Sequence, residues 1–147
     1  MEIWIANRQR RIPLSVRTYK TLAEKILLEL GRPDAEIGLS FIGDRGIRSL
    51  NRIYRGKDRP TDVLSFSLAH SSRLKRSARD LPPLFLGDVV ISVPTARRQA
   101  SARQHSLKRE IAWLMTHGVL HLLGYDHESS KDADRMRRKE RAVLRRL

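Results

Sequence analysis

The sequence predicts a single α+β domain over residues 1–147, in which about five helices pack against a small mixed sheet of about four strands. Three observations lead to this fold class. Strand patterns occur mainly in the first two-thirds of the chain, whereas helical spacing dominates the last third. The length is that of one domain, with no internal repeat or linker. The hydrophobic fraction of 40% is sufficient for a packed core.

The N-terminal segment is predicted to form a strand followed by a helix. Residues 2–6 are mainly apolar and place Trp4 among hydrophobic neighbours, so we expect its indole in the core. Ser15 is a typical N-cap residue, and apolar side chains recur after it at helical spacing. Gly31 and Pro33 end this helix because neither residue suits a helix interior.

A second strand and a short helix are predicted next. Between residues 36 and 42, apolar side chains alternate with glycine and serine, which is a strand pattern. Asp44 is then placed to cap a short helix whose residues Ile47, Leu50 and Tyr54 face inward.

The middle of the chain is predicted to contain two further strands joined by a basic loop. After a polar loop at residues 55–61, strands are expected at 62–68 and 85–93, on either side of the basic residues 70–80. Asp88 lies inside the second of these strands, where a carboxylate is costly without a partner. We therefore expect Asp88 to accept structural hydrogen bonds or to orient a metal ligand.

Helices dominate the last third of the chain. Pro94 suits the first turn of one helix, and Ser106 caps a second helix over about residues 107–123, which Gly124 ends. A third, strongly basic helix is predicted to begin after Ser129.

The charge of the chain indicates a polyanionic partner. The 30 Lys+Arg residues exceed the 16 Asp+Glu residues, a net charge of +14 that is typical of nucleic-acid binding. Residues 97–109 hold five basic and no acidic side chains, and residues 131–147 hold eight against three, so we expect helix faces that attract phosphate. The lack of cysteine excludes disulfide scaffolds, cysteine metal sites and a cysteine nucleophile. With no signal peptide or membrane span predicted, we expect a cytoplasmic protein without a membrane partner.

Three of the five histidines lie within one segment, residues 117–127. His117 and His121 are spaced i and i+4, so a helix projects both imidazoles from one face. Gly124 allows the chain to turn back, which lets His127 join them. Three neutral imidazoles suit zinc or a related divalent ion, and an open fourth position is typical of catalytic sites.

Other interpretations explain these histidines less well than metal binding does. A histidine can simply be a buried polar residue whose ring hydrogen-bonds to backbone carbonyls. That interpretation would explain one histidine here better than three. His70 and His105 lie in charged, polar surroundings, and we expect both to be solvated. A similar spacing occurs in metzincin peptidases, which place a general-base glutamate directly after the first ligand. Gly118 occupies that position here, so a peptidase reaction lacks its base.

The histidine segment is accompanied by two further blocks, YRGKDRPTDVLSF at residues 54–66 and LGDVVIS at residues 86–92. Together the three blocks resemble the bacterial YbeY family of endoribonucleases over about residues 36–128. The resemblance implies a zinc-dependent, single-strand-specific endoribonuclease with one Zn²⁺ per chain. It also implies a role in ribosomal RNA maturation, at the 3′ end of the small-subunit 16S RNA, and in ribosome quality control. The partners it implies are the ribosome or its small subunit, ribosomal proteins and an assembly GTPase.

The resemblance also assigns roles to individual residues. The zinc ligands would be His117, His121 and His127. Arg55 would be the essential arginine, and from a polar loop its guanidinium can bind phosphoryl oxygens and stabilise transition-state charge. The alternative for Arg55 is a surface salt bridge with Asp58 or Asp62.

Basic and aromatic residues near the predicted site are candidates for RNA contacts. The expected RNA-binding residues are Arg55, Lys57, Arg59, Arg97 and Arg98. Trp113 is expected in the core, whereas Tyr125, beside the histidines, is a candidate for a functional aromatic.

The alternative function is a non-catalytic, zinc-stabilised RNA-binding or ribosome-assembly factor. A fourth protein ligand from Asp126 or Glu128 would favour that alternative, because structural zinc sites are closed.

Overall fold

The computed structural model describes residues 1–68 and 85–147, which form one α+β domain. The strands are β1 (Glu2–Asn7), β2 (Glu36–Ile42), β3 (Val63–Ser67) and β4 (Phe85–Ser92). The helices are α1 (Val16–Glu29), α2 (Asp44–Arg55), α3 (Val93–Ala102), α4 (Leu107–Leu122) and α5 (Ser130–Arg145). The predicted fold class is therefore confirmed for the described ranges, while His70 and the basic loop at 70–80 lie outside them.

The four described strands form one mixed sheet in the order β1-β2-β4-β3. Strands β1, β2 and β4 are parallel, and β3 runs antiparallel beside β4 at the edge. One face carries the main core with α1 and α4, which is why Phe41 and Ile91 are fully buried. A smaller cluster of Ile47, Leu64 and Val90 packs α2 against the other face.

Serine hydroxyls begin four of the helices. In each case the Oγ atom accepts a backbone N–H three residues later, at 3.1 to 3.4 Å, and satisfies one of the free donors at the helix start. The four residues are Ser15, Ser92, Ser106 and Ser129. The caps predicted for α1, α4 and α5 are confirmed.

Asp44 has a different role from the predicted cap. It is the first residue of α2, and the capping position belongs to Gly43. The Asp44 carboxylate instead accepts hydrogen bonds from Ser92 Oγ (2.7 Å), Thr95 Oγ1 (2.6 Å) and Arg98 (2.7 Å). It thereby joins the start of α2 to the start of α3, because a carboxylate with three donors close by is better satisfied there than by its own helix.

Two aromatic residues predicted to face inward are exposed. Trp4 is 60% exposed: its neighbour Ile3 is buried in the core, so alternation turns Trp4 to the opposite face of the edge strand β1. Tyr54 is 65% exposed because α2 buries only a narrow side, and its ring contacts Phe66 edge-on at a centroid distance of 5.1 Å. Both predictions were wrong because local apolar spacing does not show which face of the sheet is covered.

Helix α4 approaches the sheet closely at a glycine. An ideal Cβ on Gly118 would lie 2.6 Å from Cγ1 of Val89, so no side chain fits there without displacement. Ser65 Oγ also donates to the Gly118 carbonyl at 2.9 Å. This contact fixes α4 against β3 and β4 and so places His117, directly before Gly118, and His121, one turn after His117. Across the described ranges, no helix combines the length and apolarity needed to span a bilayer.

Candidate metal centre

Two of the three histidines lie on the last turns of α4. The i, i+4 spacing brings the rings of His117 and His121 to a centroid distance of 4.7 Å, with their Nε2 atoms 3.1 Å apart. Nitrogen ligands of one tetrahedral zinc ion lie about 3.4 Å apart, given Zn–N bonds of about 2.0–2.1 Å. The helix alone therefore places two imidazole nitrogens at nearly the separation that one ion requires.

A glycine turn supplies the third histidine. Gly124 has a φ of +97°, which an L side chain rarely adopts, and Tyr125 N–H donates back to the Leu120 carbonyl at 3.0 Å. The chain then reverses and brings His127 to within 5.2 Å of His121, measured between ring centroids. One ring nitrogen of each histidine lies within 4.8 Å of the others. The predicted three-histidine group is therefore assembled in the structure.

The outward nitrogen atom of His117 is held in place. Its Nδ1 lies 2.6 Å from a carboxylate oxygen of Glu140 on α5. This contact fixes the tautomer of His117 and leaves its Nε2, which faces Nε2 of His121, free for a metal. The donor set of three imidazoles fits a zinc-like divalent ion.

Glu140 is a site residue that the sequence analysis missed. It is buried, and its second oxygen accepts the indole N–H of Trp113 at 3.1 Å. Burial raises the pKa of Glu140, but hydrogen bonds from His117 and Trp113 outweigh burial and lower the pKa below its ordinary value. A signal was present: Met136, Glu140 and Val143 lie at helical spacing on the buried side of α5.

The electrostatic surroundings keep the histidines suited to metal binding. Burial lowers the pKa of His121, and the neighbouring His117 and His127 lower it further. The positive charge of Arg55 also lowers the pKa of His121. A neutral imidazole is the form that binds a metal.

Arg55 is the last residue of α2 rather than part of a loop as predicted, and Gly56, with a φ of +69°, ends the helix immediately after it. Neither expected salt bridge forms in the described ranges: Asp58 pairs with Arg48 at 2.9 Å, and Asp62 accepts the Val63 N–H at 2.8 Å. Among the described residues, the guanidinium of Arg55 therefore has no carboxylate partner and remains free for a ligand.

The other predicted RNA contacts lie in two places. Lys57 and Arg59 lie in the loop that follows α2. Asn51 Nδ2 donates to the Arg59 carbonyl at 2.8 Å and so holds this loop against the helix. Arg97 and Arg98 lie on α3, and Arg98 bonds Asp44 at the opposite end of α2 from Arg55. The twelve residues of α2 separate the two ends by about 18 Å.

Two further expectations were wrong. Asp88 lies on the sheet face away from α4, with Oδ1 only 1.9 Å from where a Cβ of Gly38 would be, and no described residue gives it a hydrogen bond. Asp88 is exposed, although partial desolvation on the sheet raises its pKa, and Glu140 rather than Asp88 orients a histidine. His105 is not solvated: it bonds the fully buried Glu110, which Arg103 also contacts.

The structure bears on two alternatives that the sequence left open, a peptidase reaction and a fourth protein ligand to the metal. The contact of Gly118 with Val89 leaves no space for a peptidase glutamate after the first histidine. Within the part of the chain that the structure describes, the candidate metal group consists of the three histidines alone. Asp126 Oδ1 accepts the backbone N–H of Glu128 at 3.2 Å. A group of three protein donors leaves a coordination position open.

Fold and site together define a class of protein: a single-domain α+β protein with a candidate three-histidine metal centre on a helix and the turn that follows it. Within that class, the chain belongs to the endoribonuclease YbeY family, whose sequence profile matches residues 4–147. The resemblance noted in the sequence is thus confirmed.

Individual relatives support the assignment over nearly the whole chain. The endoribonuclease YbeY of Desulforamulus reducens is 45% identical, covering 100% of this chain and 97% of that protein. That of Geobacter metallireducens is also 45% identical, covering 98% and 94%. The solution structure of TM1509 from Thermotoga maritima has a TM-score of 0.60 at 23% identity, covering 98% of this chain and 90% of that one, and supports the fold.

Proposed function

We propose that residues 1–147 form one metallo-endoribonuclease domain that uses zinc, one ion per chain, to cleave single-stranded RNA. The observation that carries the proposal is the three-histidine group, with Arg55 close enough for its charge to lower the pKa of His121. The relatives at 45% identity are endoribonucleases by name, which supports RNA as the substrate. We further propose action in the cytoplasm on ribosomal RNA, at the 3′ end of the small-subunit 16S RNA, and in ribosome quality control.

The histidines and their partners would hold the ion. We assign His117, His121 and His127 as the ligands, each through one ring nitrogen. Zinc supplies a Lewis acid that polarises a phosphoryl oxygen and acidifies water. Glu140, kept anionic by its hydrogen bonds, would accept a hydrogen bond from Nδ1–H of His117 and so direct the Nε2 lone pair inward.

Arg55 is the proposed catalytic residue. Its guanidinium can bind two phosphoryl oxygens at once and stabilise the negative charge that increases in the transition state. Its position at the end of a helix restricts it more than a loop would, so the guanidinium is better oriented before the substrate binds.

The RNA backbone requires further cations. Lys57 and Arg59 are assigned phosphate contacts beside Arg55 because they lie in the loop that directly follows it. Arg97 and Arg98 lie farther away on α3, so they stay predicted contacts for a longer RNA. The ribosome or its small subunit, ribosomal proteins and an assembly GTPase are the proposed partners.

The second candidate is a zinc-stabilised RNA-binding or ribosome-assembly factor without turnover. It is favoured by the link from His117 to Glu140, because an ion at the histidines would also fasten α5 to α4. The open position and the free guanidinium of Arg55 favour the enzyme, since a structural zinc would need neither.

Metal analysis and cleavage assays distinguish the two functions. Purified wild-type protein and His121→Ala are analysed for metal, and both are incubated with labelled single-stranded and duplex RNA, with and without chelator. We expect about one zinc per wild-type chain, cleavage of the single strand only, and loss of both in the variant. Analysis of the product ends identifies whether water or the RNA 2′-hydroxyl attacks. Zinc without cleavage would support the assembly factor, and no zinc would overturn both.

A further inference from the structure

One side of α5 carries a row of basic residues. Arg135, Arg138 and Lys139 are spaced i, i+3 and i+4, and Ala142 follows at i+7, so the four side chains project from the same side of the helix. In the described ranges none of the three basic residues forms an ion pair with a carboxylate. Their positive charges therefore remain available to an external anion.

This row lines two adjoining cavities that meet at Tyr125 and Arg135. The cavity nearer the histidines has a volume of about 190 Å³ and is lined by the turn of residues 123–126 with Asp132 and Arg135. The other has a volume of about 360 Å³, and its lining is Tyr125, Arg135, Arg138, Lys139 and Ala142. The larger cavity thus combines an aromatic ring with three cations and contains no carboxylate. We call both cavities together the α5 groove.

The α5 groove begins beside the candidate metal centre. Tyr125 and Asp126 line the smaller cavity, and in the chain they lie between the candidate ligands His121 and His127. A chain molecule with one phosphate at the histidines can therefore continue into this groove.

We propose that the α5 groove binds the single-stranded RNA that extends from the metal centre, with a base against the ring of Tyr125 and phosphates on Arg135, Arg138 and Lys139. Unpaired cations attract a phosphate backbone, and an aromatic ring stacks on any base, which only a single strand exposes. The inference rests on the proposed function and adds the path of the substrate.

A matched pair of double variants tests the groove. Arg135→Glu with Arg138→Glu reverses two charges in the groove, whereas Arg137→Glu with Arg141→Glu reverses two exposed charges on another side of the same helix. Binding of a fluorescent, 2′-O-methylated single-stranded oligonucleotide to the zinc-loaded proteins is measured by anisotropy over a range of salt concentrations. Intactness of the oligonucleotide is checked on a gel.

We expect the groove variant to bind at least tenfold more weakly at low salt, with the slope of log Kd against log salt reduced by about 1.4, or about 0.7 for each lost phosphate contact. Its KM for cleavage should rise much more than its kcat falls, with zinc content unchanged. Tyr125→Leu should weaken binding about fivefold or more and leave the salt slope unchanged, because stacking is not ionic.

Equal losses of binding in the two double variants would overturn the proposal that the α5 groove binds RNA, because the change in net charge alone would then explain both losses. If the groove variant bound the oligonucleotide as tightly as the wild type does, the proposal would be overturned as well. The three basic residues would then be available to bind an acidic protein instead. Groove-dependent binding without cleavage by the wild type would instead overturn the proposed endoribonuclease and retain the groove. The two proposals therefore fail separately.

Discussion

The carboxylate of Glu140 lies 2.6 Å from Nδ1 of His117, although 23 residues separate them in the chain. A carboxylate accepts hydrogen bonds, so this contact keeps the proton on Nδ1 and turns the Nε2 lone pair toward His121 and His127. The candidate metal centre therefore depends on α5, which carries no ligand of its own, as well as on α4 and the glycine turn.

Replacement of Glu140 should weaken metal binding. Glu140→Gln is expected to lower zinc affinity about 10- to 100-fold, because the His117 ring loses its anionic acceptor. Competition with a chromogenic chelator measures the affinity, and circular dichroism checks the fold. Glu110→Gln is the control: it removes another buried carboxylate, whose partners are Arg103 and His105. An equal loss of affinity in the control would show that the effect is not specific to His117.

Replacement of Arg55 should separate catalysis from metal binding. Arg55→Ala is expected to lower kcat for single-stranded RNA about 10²- to 10³-fold, the usual cost of removing a donor from transition-state charge, with zinc content unchanged. Arg48→Ala, on the same helix but paired with Asp58, should retain activity. Zinc loss in Arg55→Ala would contradict a purely catalytic role.

Gly118 should not tolerate a side chain. Gly118→Ala is expected to lower the free energy of unfolding by about 1–3 kcal/mol, because the new methyl group meets the side chain of Val89, a fully buried residue of β4. Gly46→Ala is the control, since its Cβ would meet only the flexible end of Ile42, at 3.3 Å. Urea denaturation measures both, and a neutral Gly118→Ala would show that α4 does not need this close contact.

Asp44 should make stability depend on pH in the acid range. Burial raises the pKa of its carboxyl, but hydrogen bonds from Thr95, Ser92 and Arg98 outweigh burial, so the folded pKa lies below the ordinary value. A lowered folded pKa stabilises the protein above the unfolded pKa of about 3.9, and this contribution is lost as the pH falls through the folded value.

Comparison of Asp44→Asn with the wild type tests this dependence. The wild type should be more stable by about 1 kcal/mol near pH 7, and the difference should shrink below about pH 4. Asp134→Asn, which removes an exposed partner of Arg137, should change little at any pH. Urea denaturation from pH 7 to pH 3 measures all three proteins. A difference that grows toward acid would have the opposite sign and contradict the assignment.

The sequence by itself determined the parts of this protein that depend on neighbouring residues. The serine caps at Ser15, Ser106 and Ser129 bond to backbone only three residues away, so their patterns suffice to locate the helix starts. The histidine pair and the turn at Gly124 likewise lie within one short segment, and helix geometry alone brings them together.

Only the tertiary structure decided what lies on each face and which distant residues meet. The exposure of Trp4 depends on which face of β1 is covered, and the pairing of Glu140 with His117 depends on how α5 packs against α4. Spacing along the chain specifies the side of a helix or strand that a residue occupies. What covers that side is determined by contacts between elements, which local periodicity does not encode.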